Sequence, residues 1–164
     1  MADTVVLHPN RDKAESKATR AVVVLLLVVS AVLTLIITLG GWSVLQGAQV
    51  VSFAFVIVYL AMAYFIWRWS RGLLPVAAAL AVLMAVFAAI AAPAWFERDK
   101  DGFVDPALEP ALLGLLTIVL VPVSLMLVVA ALRGFRQQWN VEVELSGDDA
   151  ERHRRGGGGE LQTA

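Results

Sequence analysis

The chain contains no cysteine, and its only two histidines, His8 and His153, lie in the charged end segments. The lack of cysteine excludes disulfides, thiolate metal sites and thiol redox chemistry. Acidic and basic side chains are also missing from three long stretches, residues 21–67, 72–96 and 110–132. Pumps and proton-coupled transporters usually depend on an ionisable group inside the membrane, and these stretches offer none.

The three charge-free stretches predict four transmembrane helices. A helix needs about 20 apolar residues to cross the hydrocarbon core, so the 47 residues from 21 to 67 are too long for one crossing and suit two. Gly40 and Gly41 supply the conformational freedom that a tight turn between them requires. The predicted fold class is an all-α integral membrane protein with spans at about residues 21–39, 50–67, 73–92 and 111–132.

Charged segments flank the predicted transmembrane domain, residues 21–136. Residues 1–20 are expected to form a cytoplasmic N-terminal segment, and residues 137–164 a flexible cytoplasmic C-terminal tail. Within the tail, three apolar residues alternate with Glu142 and Glu144, which is a short strand-like pattern.

The distribution of Lys and Arg predicts the orientation. Eleven of these residues lie before span one, between spans two and three, or after span four, whereas only Arg98 and Lys100 lie on the other side. The positive-inside rule therefore places both termini in the cytoplasm and requires an even number of spans. The excess of Arg over Lys and the compact loops favour a bacterial plasma membrane.

Small residues predict how the helices associate. Lipid tails are as apolar as leucine, so close packing must supply the attraction between helices. Ala77, Ala81, Ala85 and Ala89 recur every four residues on span three, and a similar seam runs along span four (Gly114, Thr117, Val121, Ser124, Val128 and Ala131). The two seams are expected to pair, and the alanine stripe is also a candidate surface for a membrane-protein partner or self-association.

A polar stripe of Ser30, Thr34 and Thr38 lies on span one, again with a spacing of four. One interpretation makes it the lining of a permeation path in an oligomer. The favoured interpretation is structural, with each hydroxyl bonded to its own helix or to a neighbouring one.

Two loops contain further candidate sites. Asp99, Asp101 and Asp105 resemble the start of a calcium loop in spacing, but the twelfth position holds Pro110 instead of the bidentate Glu, so only weak binding is conceivable. Arg68 and Arg71 stand beside tryptophans and suit a lipid phosphate, although basic residues at cytoplasmic helix ends are expected from topology alone.

No catalytic, cofactor-binding or metal-binding residues are assigned, and no nucleic-acid partner is expected. Phosphate-binding glycine loops, nucleophile elbows and paired metal-binding histidines are all missing from the sequence. The expected role is a non-catalytic accessory, assembly or scaffolding subunit in the lipid bilayer. The alternative is a small oligomeric channel or facilitator lined by the Ser30, Thr34 and Thr38 stripe.

Overall fold

The computed structural model describes residues 5–98 and 105–145. Four long helices dominate these residues, and each is long and apolar enough to cross a membrane. The prediction of an all-α membrane protein with four spanning helices is confirmed. The elements, in chain order, are β1 (Val5–Leu7), α1 (Pro9–Asp12), α2 (Ala14–Gly40), α3 (Ala48–Trp67), α4 (Leu74–Glu97), α5 (Pro110–Arg136) and β2 (Val143–Leu145).

Three of the helices extend beyond the charge-free stretches. Helix α2 begins at Ala14, because its polar first turns continue the same helix out of the apolar region. Helix α4 continues through Pro93 to Glu97, and α5 continues through Pro122 to Arg136. A transmembrane helix tolerates an internal proline when neighbouring groups satisfy the freed backbone carbonyl.

The helices form an open bundle in which α2 and α5 are central. Helix α5 packs against α4 and α2, and α2 also packs against α3, whereas α3 and α4 touch very little. The predicted pairing of spans three and four is therefore the most extensive contact in the bundle. We call the end that carries β1 and β2 the strand end, and the end that carries Trp42 and Arg98 the loop end.

A hydrogen bond joins α3 and α4 at one level. The Tyr59 hydroxyl donates to the backbone oxygen of Leu80 at 3.2 Å, and Phe55 meets Phe87 edge-to-face with ring centroids 6.1 Å apart. From this level the interior is filled toward the strand end by fully buried side chains (Leu27, Ile66, Leu74, Leu127 and Trp139). Toward the loop end α3 and α4 separate.

The strand end is more ordered than the sequence suggests. Strands β1 and β2 pair antiparallel, with Leu7 opposite Val143 and Val5 opposite Leu145. The strand-like pattern near Glu142 and Glu144 thus forms a strand, and the part of the predicted flexible tail up to residue 145 folds back on the bundle. Residues 146–164 of that tail lie outside the described residues.

Candidate functional site

The alanine stripe faces the inside of the bundle. Ala77 and Ala81 are fully buried and Ala85 nearly so, while Ala89 is exposed. The expected partner surface therefore needs correction, because α5 of the same chain covers three of its four residues. The stripe leaves the interface at Ala89 because a helix turns 3.6 residues per revolution, so a strict spacing of four drifts around it.

A groove lies on the outer face between α4 and α5, at the point where the stripe emerges. It measures about 710 Å³ and is lined by apolar side chains together with one acid (Ala89, Ala92, Pro93, Phe96, Glu97, Ile118, Val121 and Pro122). Small residues on its floor permit the close approach of another helix. We call this surface the proline groove.

The two prolines change the chemistry of the proline groove. Proline has no N–H, so the carbonyl four residues earlier loses its donor within the helix. Pro93 releases the carbonyl of Ala89 in this way, and Pro122 releases that of Ile118. All four residues line the groove, so the prolines and the residues whose carbonyls lose a donor lie on one face of the bundle.

The levels of the two released carbonyls follow from the antiparallel packing of α4 and α5. A Cβ on Gly114 would lie 2.7 Å from the Phe96 ring, and a Cβ on Gly134 would lie 3.3 Å from the Leu74 side chain. With a rise of 1.5 Å per residue, the first contact puts Ile118 and Ala89 about 4.5 Å apart along the groove and the second puts them about 1.5 Å apart, so the two residues lie within about one helical turn of each other.

A second cavity occupies the gap between α3 and α4 at the loop end. It measures about 560 Å³, and its walls come from all four long helices. Most lining side chains are apolar, including Val51, Phe87 and Trp95, and the polar ones include Thr34, Thr38 and Thr117. We call it the loop-end cleft.

The mouth of the loop-end cleft is polar. Arg98 and Gln46 both line it, and Arg98 directly follows the last turn of α4. Gln46 adopts a left-handed backbone conformation with φ of 43°, and Gly47 follows with φ of 95°, which turns the chain sharply into α3. The lining of the cleft is therefore mostly apolar, and among the described residues Arg98, at the loop end, is the one charged residue in it.

The hydroxyl stripe of α2 is buried, and two of its hydroxyls bond within the helix. Thr34 donates to the Ser30 carbonyl at 2.8 Å and Thr38 to the Thr34 carbonyl at 2.7 Å, as the structural interpretation predicts. Thr34 and Thr38 border the loop-end cleft, but Ser30 does not. Among the described residues, the buried hydroxyls of Ser30 and Ser124 have no hydrogen-bond partner.

The two arginines between spans two and three form hydrogen bonds with groups of the same chain. Arg71 donates to the Phe135 carbonyl at 2.9 Å and to Asn140 at 2.8 Å, so it closes the end of α5. Arg68 donates to the Tyr64 hydroxyl at 3.0 Å. The lipid-phosphate interpretation of this pair is therefore less favoured than the structural one.

Tryptophan and arginine side chains pack together at the strand end. Arg20 lies over both Trp67 and Trp69, with distances of 4.6 and 4.1 Å from its guanidinium carbon to the ring centroids. The position of Trp139, just past span four, predicts an interfacial anchor, but Trp139 is fully buried against Trp69. Arg11 donates to the Trp139 carbonyl at 3.0 Å, which ties the N-terminal segment to the C-terminal one.

The candidate calcium loop falls mostly outside the described residues. Asp99 and Asp101 belong to residues 99–104, and of the three aspartates only Asp105 is described. In residues 5–98 and 105–145, no three His, Cys, Asp or Glu side chains are grouped closely enough to hold a metal ion.

The sequence predicts a helix exit at Pro93 and a kink at Pro122, but it does not predict the groove that the two prolines share. The signal was present, because two internal prolines on adjacent antiparallel helices release carbonyls on both. Only the packing of α4 on α5 shows that these carbonyls share one face. In comparisons with known proteins, the chain matches no protein-family model, no curated protein and no solved structure.

Proposed function

We propose that the chain is a non-catalytic accessory or scaffolding subunit that binds a transmembrane helix of another membrane protein in the proline groove. The observation that carries this proposal is the groove itself, which is lined by Pro93 and Pro122 together with Ala89 and Ile118. Since proline has no N–H, each of the two prolines removes the usual helical donor from the carbonyl four residues earlier. An unsatisfied backbone group in lipid costs several kcal/mol, so a partner that brings donors gains from binding there.

The expected partner follows from the geometry. Two acceptors within about one turn of each other suit a helix that runs along the groove and carries hydroxyl or amide side chains on one face, as at positions i and i+4. Ala89 and Ala92 let that helix approach closely. A second copy of this chain is a poorer match, because the stripe of Ser30, Thr34 and Thr38 is buried in its own bundle.

We further propose that the protein lies in a bacterial plasma membrane with both termini in the cytoplasm. Arg11, Arg20, Arg71 and the end of α5 lie together at the strand end, so this end carries the excess of basic residues that the positive-inside rule assigns to the cytoplasm.

Photocrosslinking in native membranes tests the proposed function. A photoreactive amino acid at Ala89 or Ile118 should form one adduct, in which the crosslinked partner peptide is a transmembrane segment with hydroxyl or amide residues four apart. The same probe at Ile57, which is 66% exposed on α3, should react with lipid only.

Proline substitutions test whether the adduct depends on the two prolines of the groove. Pro93→Ala and Pro122→Ala return the missing donors to α4 and α5, so they should abolish the adduct without unfolding the chain. Pro75→Ala is the matched control, because Pro75 lies in the first turn of α4 and releases no carbonyl. An adduct that survives both groove substitutions, or one formed equally from Ile57, would overturn the proposal.

The alternative function, an oligomeric channel lined by Ser30, Thr34 and Thr38, has one observation in its favour. Thr34 and Thr38 border a cavity near the loop end. Against it, fully buried apolar side chains such as Leu27 and Leu127 fill the bundle toward the strand end. Flux of a solute through proteoliposomes that Thr34→Leu abolishes would favour the channel.

A further inference from the structure

We propose that the loop-end cleft binds one anionic phospholipid, with an acyl chain between α3 and α4 and the phosphate at Arg98. This inference goes beyond the proposed function and does not depend on it, because the cleft and the proline groove have different linings. Glu97, next to Arg98 in the sequence, lines the groove and not the cleft.

The length of the cleft fits one leaflet. The lining residues on α4 run from Met84 to Arg98. With a rise of 1.5 Å per residue, this part of α4 is about 21 Å long. Half of a bilayer, including its headgroup region, is about 20 Å thick. A lipid whose phosphate lies at Arg98 would therefore place the end of its chain near Met84.

The shape of the cleft favours a chain over a helix. The cavity has walls from all four long helices, and Val44, Leu45 and Gln46 line it at the loop end. Its volume of about 560 Å³ falls in the range of small-molecule sites. A helix with side chains is 10–12 Å across and would have to displace α3, whereas an acyl chain can enter sideways where α3 and α4 separate.

The polar groups favour an anionic headgroup at one end only. Thr34, Thr38 and Thr117 donate to carbonyls of their own helices, so they bring no free donor into the cleft interior. At the mouth, Arg98 supplies a permanent positive charge and Gln46 an amide. This arrangement is complementary to a hydrocarbon chain that ends in a phosphate.

The test uses the full chain in nanodiscs of phosphatidylcholine with a minor fraction of phosphatidylglycerol, followed by native mass spectrometry in mild detergent. The wild-type chain should retain phosphatidylglycerol in preference to phosphatidylcholine. Arg98→Gln should lower that preference about fivefold, which is the factor expected for one basic residue near anionic lipid. Arg136→Gln, the same charge change at the strand end, should leave the preference unchanged.

Filling the cleft provides an independent arm. Ala91→Trp places a large ring in the cleft lining and should remove the retained lipid of both types, whereas Ala79→Trp, an exposed position on the same helix, should not. Ala94→Trp is a second cleft-filling variant in case the first does not fold, as judged by circular dichroism.

Equal lipid retention in wild type and cleft-filled variants, or equal effects of Arg98→Gln and Arg136→Gln, would overturn the assignment. Neither outcome bears on the crosslinks at the proline groove.

Discussion

Trp139 packs edge-to-face on Trp69, with ring centroids 5.4 Å apart and ring planes at 89°. The two residues are 70 positions apart in the chain, and Trp69 holds a left-handed backbone conformation with φ of 70°. Such a conformation persists in a bulky residue only where its surroundings enforce it. The contact therefore identifies the strand end as a packed part of the fold.

Trp139→Ala should destabilise the protein by about 3–5 kcal/mol, because it removes a large and fully buried ring. Equilibrium unfolding in detergent micelles measures the loss. Trp42→Ala is the control, since Trp42 is 51% exposed at the loop end, and it should cost less than about 1 kcal/mol. Similar losses for the two variants would contradict the packed strand end.

Arg71→Gln should cost about 1–2 kcal/mol of unfolding free energy, because two charge-assisted hydrogen bonds at the end of α5 are lost. Partial exposure to solvent keeps the figure at the low end of the range for charged groups. Arg68→Gln should change stability by less than about 0.5 kcal/mol, since Arg68 bonds only the Tyr64 hydroxyl. Equal effects in both variants would show that Arg71 does not cap α5.

Gly41→Ala should destabilise the turn after α2 by about 1–3 kcal/mol through overpacking. A Cβ at this position would collide with the buried Trp95 ring and lie 3.0 Å from the Ile37 carbonyl. Gly72→Ala is the matched control because a Cβ there meets nothing within 4 Å. Thermal unfolding should separate the two variants, and a Gly41→Ala protein with wild-type stability would contradict the described turn.

Ser30→Ala and Ser124→Ala should leave stability unchanged or raise it by up to about 1 kcal/mol. Each removes a buried hydroxyl that has no hydrogen-bond partner among the described residues, and an unsatisfied buried polar group is costly. The two serines lie at similar distances from the strand end. Gln137 donates to the Thr19 hydroxyl and so marks one level on α2 and α5. Ser30 lies 11 residues from Thr19 along α2, and Ser124 lies 13 residues from Gln137 along α5. A clear loss of stability in either variant would show that its hydroxyl is bonded.

The membrane fold could be predicted because hydropathy acts over whole segments. Residues 21–67 had to form two crossings whatever the local packing, and the spacing of Gly114 and Thr117 indicated which helix α4 would meet. Helix ends were less predictable, because Pro93 is a stop signal in water but is tolerated in a transmembrane helix. Whether a given alanine, such as Ala89, faces inward depends on helix rotation, which spacing alone fixes poorly.

The candidate sites could be predicted only in part. Thr34 and Thr38 were expected to bond either their own helix or a neighbouring one, and the structure shows the first, because a hydroxyl can reach the carbonyl four residues earlier. Arg98 at the cleft mouth and Ile118 beside Pro93 depend on contacts between distant elements, for which one sequence carries no signal. Trp139 was misjudged for the same reason: next to the membrane, an anchoring indole and a buried one have the same local pattern.

The pairing of β1 with β2 sets an order for the maturation of this protein. During synthesis Val5–Leu7 leaves the ribosome before the four long helices and Val143–Leu145 after them, so the two strands can pair only once α5 has been made. Until then, Asn10 and Arg11 lack the Gln138 and Trp139 carbonyls to which they donate. A chain interrupted before residue 138 therefore lacks the strand that pairs with β1 and the two carbonyls that accept from Asn10 and Arg11.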